Sequence, residues 1–253
     1  FPLNAYEGTP NYDCWWSLPG LPKLNTNNPQ VRKYIFNVAR YWLEEGIDGW
    51  RLDVPFEIDD DDFWREFREV VKTANPEAYI VGEIPTEGQR WLQGDMFDAV
   101  MNYQLTHACL AFFGGSRMDK ALAQGMMGLD APEPMDAAQF ARRTQELLTI
   151  YPREFAYAQL NLLDSHDMPR FLSLVSEDTQ RLYLAYLFVM TYPGAPCIYY
   201  GDEIGLTGGT DPMCRKAFPW DQSLWNTALR EKIRELALIR HAMPVLRTGE
   251  YLP

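Results

Sequence analysis

Val31, Ile35, Val38 and Trp42 recur three or four positions apart, the spacing that lines up apolar side chains on one face of a helix. Asn28 supplies a cap, Pro29 a first helical residue, and Gly46 the stop. The period then changes. A strand is predicted over 47–54, followed by a helix from about Asp61 to Lys72 whose acidic start suits the positive end of a helix dipole. Apolar runs predict further strands over 79–84, 97–103, 157–163 and 196–201, and helical spacing predicts helices over 136–150, 178–191 and 226–240. Mostly apolar strands separated by helices imply an α/β fold, a parallel sheet with helices packed outside it. A doubly wound open sheet fits five strands, but no Gly-rich loop follows a strand, so dinucleotide binding lacks support.

The first 28 residues are rich in Pro, Asn and Gly with clustered aromatics, and read as a long irregular loop leading into the segment 29–253. Composition narrows the function. With 47% hydrophobic residues over 253 positions the chain can bury a large core. The 35 acidic against 23 basic residues give a net charge of −12, which repels a phosphate backbone and an anionic lipid surface, so neither nucleic acid nor membrane is an expected partner. A neutral sugar is indifferent to that charge, and eight Trp and fourteen Tyr offer flat faces on which sugars rest. Cys14, Cys109, Cys197 and Cys214 form no C-x-x-C pair and read as free buried thiols. The acidic run 59–62 reads as a solvated helix start, so no metal and no cofactor are expected. No run of 18 apolar residues and no signal-peptide pattern occur, so a cytoplasmic location is expected, with secretion left open because the true N-terminus is expected to lie upstream.

Three acidic residues stand at the C-terminal ends of predicted strands: Asp53, Glu83 and Asp167. In a barrel of parallel strands such positions converge on one site. Two carboxyls suffice to cleave a glycosidic bond, one as acid and one as nucleophile or base, and a third can hold the sugar. Arg51 lies two residues before Asp53 in a strand, on the same face, and either orients an ionised nucleophile or forms a structural ion pair. Glu83 follows the apolar Tyr-Ile-Val-Gly and reads as a desolvated general acid or as the cap of a following helix. His166 and Asp167 can fan across a pocket floor toward sugar hydroxyls, whereas His107 and His241 read as surface or packing residues. A hydrolase triad is disfavoured because no Gly-x-Ser-x-Gly elbow exists.

At these residues the chain resembles the alpha-amylase family of glycoside hydrolases, glycoside hydrolase family 13. Its second, third and fourth motifs look like the segments 46–54, 81–84 and 165–167, and Leu21-Pro-Lys-Leu-Asn25 resembles its fifth. Cys14-Trp-Trp through Asn25, Met101-Asn-Tyr103, Leu163-Asp-Ser-His-Asp167, Tyr199-Tyr-Gly-Asp-Glu203 and Thr210-Asp-Pro-Met-Cys-Arg215 look like its cyclomaltodextrinase, neopullulanase and maltogenic amylase branch. The resemblance implies Asp53 as nucleophile, Glu83 as acid and base, and Asp167 as the acid gripping the distorted sugar. Arg51 would orient the nucleophile and His166 would bind the same glucose. Asp211 and Arg215 match a pair serving the non-reducing side, and Glu57 a position on the acceptor side; read bare, they are a surface i,i+4 pair and a loop carboxylate. Phe56 and Pro85 depart from the branch, which puts its acceptor-side preference in question.

The implied fold is a (β/α)8 TIM barrel of which strands four to eight are present, since the family's first motif, with its Asn-His, is absent. The implied reaction is retaining hydrolysis of alpha-1,4 glucosidic bonds, with alpha-1,6 bonds left open, in cyclodextrins, maltooligosaccharides or pullulan. Transglycosylation or isomerisation on the same site, and a catalytically silent binding module, are the alternatives. The expected partners are the alpha-glucan and whatever segment or chain supplies the remaining strands, with a homodimer open for the whole enzyme. Five strands of eight leave apolar surface and edges uncovered, so the chain by itself is expected to be inactive and poorly soluble.

Overall fold

The computed structural model describes residues 11–253, which form two compact units. The first holds the described residues up to Gly82 together with Gly94–Phe97. Its first long helix, Pro29–Glu44, starts where Asn28 Oδ1 accepts the Gln30 N–H at 2.8 Å. The buried stripe is Phe36, Ala39 and Leu43 rather than the Val31, Ile35, Val38 and Trp42 set, and Trp42 is exposed. Periodicity found the helix but placed its inner face one position away, because the ring partners on the next helix select Phe36. That helix, Asp61–Ala74, is capped by Asp60, whose Oδ1 accepts the Phe63 N–H at 3.0 Å. Phe63 and Phe67 lie 5.3 and 6.4 Å from the Phe36 ring, and each such buried side chain contributes roughly 1.5–3 kcal/mol.

Strands β1, Gly49–Leu52, and β2, Tyr79–Gly82, pair in parallel with Gly49 opposite Tyr79 and Leu52 opposite Gly82. Both are shorter than predicted. After β1 the backbone turns left-handed at Val54 and enters a 3-10 turn at Pro55–Glu57, where proline has no N–H for a ladder. Gly82 is required by a close approach: a Cβ there would meet the Phe97 ring at 2.8 Å.

The second unit comprises Glu83–Gln93 and Asp98–Pro253. It contains β3, Ala99–Val100, β4, Leu160–Asn161, and β5, Ala195–Pro196. Met101 bridges Leu160 in parallel, and β4 pairs β5 in parallel with Leu160 opposite Ala195. Asparagines lock these strands: Asn102 Nδ2 donates to Asn161 Oδ1 at 2.9 Å, and Asn161 Nδ2 to the Pro193 carbonyl at 2.8 Å.

Three predicted strands are cut back here. The segment 97–103 ends early because Asn102 caps a helix, Tyr103–Cys109, so Tyr103 is helical. The segment 157–163 starts late because Tyr157 closes a short helix, Arg153–Ala156. Beyond β5 the segment 196–201 turns, with the Asp202 N–H on the Tyr199 carbonyl at 3.1 Å. The predicted helices appear as Ala137–Leu147, opened by a capping box between Asp136 and Gln139, Thr179–Thr191 and Thr227–Ala242. Between them Phe112 stacks on Phe140 at 4.5 Å, and Phe188 lies 4.8 Å from Phe140 and 5.1 Å from Tyr192. The four cysteines are free, but only Cys109 and Cys214 are buried. Among the described residues no helix is long and apolar enough to cross a membrane.

Candidate active site

In the first unit Asp53 is the first residue beyond β1 and is exposed. Strand alternation puts Arg51 on its side, and Arg51 Nη1 donates to Asp53 Oδ1 at 2.5 Å. Val54 follows at φ 40 and ψ 51, a left-handed conformation that a β-branched residue rarely adopts, so the chain is strained directly after the carboxylate. Glu57 ends the 3-10 turn, where Lys23 Nζ donates to its carbonyl at 2.5 Å and to its Oε2 at 3.1 Å. These two residues line a hollow of about 530 Å³ with Tyr12, Asn25, Asn27 and Asp59. Glu57 is therefore a paired loop carboxylate facing a polar cavity.

In the second unit Glu83 is buried, and no helix follows it before residue 94, so it is not a helix cap. The Tyr103 hydroxyl lies 3.5 Å from Glu83 Oε1 and 3.5 Å from Ser165 Oγ. Ser165 Oγ in turn accepts the Asp167 N–H at 3.2 Å, so a continuous polar path joins Glu83 to the Asp167 turn. Asp167 sits in that turn, six residues past the last residue of β4, rather than at the strand end itself. A strand carboxyl reaches only as far as its own pleat, whereas a turn can be aimed by its anchors.

An imidazole and a guanidinium flank Asp167. His166 Nε2 lies 3.1 Å from Oδ2, and Arg215 Nη2 donates to Oδ1 at 2.9 Å. Arg215 also pairs with Asp211 at 2.9 Å and donates from Nε to the His166 carbonyl at 2.9 Å, which the Cys214 thiol approaches at 3.0 Å. The i,i+4 pair of Asp211 and Arg215 thus forms, and it is also clamped onto the His166–Asp167 turn.

Lys23, Tyr103 and Ser165 were not singled out from the sequence. Each lies in a quoted motif, but their partners are 34, 20 and 62 residues away for the Lys23–Glu57, Tyr103–Glu83 and Tyr103–Ser165 contacts, beyond any local signal. Chemically, the first unit offers an exposed carboxylate beside a guanidinium, and the second a buried acid and a carboxylate held between an imidazole and another guanidinium. Those are the parts needed to protonate a leaving oxygen, attack a carbon and grip neighbouring hydroxyls.

The model of the alpha amylase catalytic domain matches residues 6–236. A cyclomaltodextrinase of Geobacillus thermopakistaniensis (strain MAS1) is 47% identical over 251 residues, covering 99% of this chain and 40% of that protein. Neopullulanase 2 of Thermoactinomyces vulgaris is 43% identical over 250 residues, covering 98% of this chain and 40% of its own length. Among solved structures, a Thermus thermophilus protein superposes with a TM-score of 0.94 at 51% identity, covering all of this chain and 53% of that one. The native form of the Nostoc punctiforme debranching enzyme gives 0.92 at 46% identity, covering 99% and 52%. The chain therefore spans about two fifths of the length of the curated relatives it matches, and across nearly all of its own length it belongs to the alpha-amylase family, as part of the catalytic domain.

Proposed function

We propose that this chain supplies strands four to eight and the reacting carboxyls of a retaining alpha-glucan hydrolase with a (β/α)8 barrel. Its substrates on this reading are cyclodextrins, maltooligosaccharides or pullulan, since relatives named cyclomaltodextrinase and neopullulanase match it over nearly its whole length. Asp53 attacks the anomeric carbon, Glu83 protonates the leaving oxygen and then activates water, and Asp167 grips the distorted sugar. Arg51 aims Asp53, His166 binds the same glucose, Asp211 and Arg215 serve the non-reducing side, and Glu57 faces the acceptor.

The observation that carries the reading is the register of β1 on β2. Leu52 stands opposite Gly82, and the next residue of each strand is a carboxyl, Asp53 and Glu83. Parallel strands present their C-terminal ends to one face, where barrel enzymes hold their chemistry. On this account a complete enzyme also contains barrel strands beyond these five, and the chain by itself is inactive.

Mechanism-based trapping tests the assignment. A fluorinated glucosyl fluoride forms its covalent intermediate readily and hydrolyses it slowly, so the labelled peptide of the complete enzyme should carry the sugar on Asp53. Label on another carboxyl, or none with full turnover, removes Asp53 from the role.

A further inference from the structure

Behind the His166–Asp167 turn lies a buried cluster that the reaction does not use. Asp164, just before the turn, and Asp202, in the 3-10 turn Asp202–Ile204, are both almost fully buried, as is Arg170 at the far end of the turn. Arg170 Nη1 donates to Asp202 Oδ1 at 3.0 Å and to the Tyr200 carbonyl at 2.8 Å, with its guanidinium 4.4 Å from the Tyr199 ring centre. The Tyr186 hydroxyl, from helix Thr179–Thr191, donates to Asp202 Oδ2 at 2.6 Å. Asp164 Oδ2 accepts the Phe171 N–H at 2.6 Å, closing the neck of the 165–170 loop. Its other oxygen, Oδ1, is buried and meets no protein donor.

We propose that Asp164 and Asp202 share one proton, carried on Asp164 Oδ1, and that the pair is a positioning device for the turn presenting His166 and Asp167. A second buried carboxylate near Asp202 would have one cation, Arg170, for two charges, and an oxygen that accepts from no donor although Arg170 Nε and Nη2 are themselves without partners. As an acid, Asp164 turns that orphan oxygen into a donor to Asp202 while Oδ2 still accepts from Phe171.

The electrostatics agree. Burial first, then the charge of Asp202, raises the Asp164 carboxyl well above the carboxylate range, opposed by the Phe171 N–H and Arg170. Burial also raises Asp202, but hydrogen bonds from Asp164 and Tyr186, with the Arg170 charge, hold it down, so Asp164 keeps the proton. Among the described residues, the other titratable groups facing both acids are the Tyr186 phenol and the Cys197 thiol beyond β5, each pushed up by burial and by the two carboxyls.

The sign of the pH effect follows. A carboxyl whose folded pKa is raised binds its proton more tightly in the folded state, so its contribution is complete below the unfolded value and is lost as pH rises toward the folded one. Asp164→Asn reproduces the protonated form, with an amide donating to Asp202 and an oxygen accepting from Phe171. It should abolish that dependence.

The test uses the complete enzyme and reads no turnover, so its failure is separable from failure of the glucosidase assignment. At neutral pH the infrared difference spectrum of wild type against Asp164→Asn should show a protonated-carboxyl band in wild type alone. Melting temperature of wild type should fall relative to Asp164→Asn as pH rises above the ordinary carboxylate range. Amide exchange at Phe171 should be unchanged in Asp164→Asn and faster by about 10-fold or more in Asp164→Leu. Absence of the carboxyl band, or equal exchange in the Asn and Leu variants, overturns the proposal. If Asp164→Leu does not fold, the spectrum and the pH dependence of Asp164→Asn decide it.

Discussion

Asp53 and Glu83 occupy equivalent places, each the first residue after a paired strand, yet their surroundings differ: Asp53 is exposed against a guanidinium, and Glu83 is buried beside a tyrosine hydroxyl. On the proposed reading these contrasting environments assign contrasting roles, the desolvated carboxyl as proton donor and the guanidinium-paired one as nucleophile. In the complete enzyme, Glu83→Gln should then lower turnover of maltooligosaccharides by on the order of 10²–10⁴-fold. Alpha-glucosyl fluoride, whose leaving group needs little protonation, should be spared most of that loss in kcat/KM, which reports bond cleavage and not the later base-assisted step. Equal losses in kcat/KM on both substrates would show that Glu83 does not act as the acid in bond cleavage. As candidates, Asp53 and Glu83 stood out in the sequence because motif and strand end coincide, whereas Asp167 stood out by its motif alone, six residues past β4. Arg170 and Asp202 did not: their ion pair joins residues 32 apart, and nothing local marks it.

At the scale of elements, helices were read more accurately than strands. Asn28 with Pro29, and Asp136, Asp178 and Asn226, each satisfy amides of the first turn, so a helix start is written within a few residues. A strand ends where its neighbour stops pairing, which is decided elsewhere in the chain. Thus Tyr103 and Tyr157 look like strand residues but belong to helix ends, and apolar runs of about seven residues shrink to pairs of ladder positions. Gly82 is an exception in which the strand declares a contact, since only a hydrogen there clears Phe97. Gly82→Ala should cost about 1–3 kcal/mol through overpacking. Thermal unfolding checks it: the melting temperature should fall by roughly 2–4 °C per kcal/mol for a domain of this size. An unchanged midpoint would mean that β2 and Phe97 yield freely.

For the molecule as a whole, a charge of −12 disfavours anionic ligands and is indifferent to the neutral, hydroxyl-rich ligand of the proposed reading. Membership in the alpha-amylase family was legible because its motifs lie in order along the chain. What the family reading adds to the described geometry is a double displacement, in which the Asp53 and Glu83 carboxyls of the complete enzyme lie roughly 5–5.5 Å apart, too close for a water between them. The stereochemistry of the first product tests that claim most directly. Proton NMR of the complete enzyme acting on a maltooligosaccharide, read before mutarotation, should show the alpha anomer at the new reducing end; a beta anomer appearing first would contradict the account.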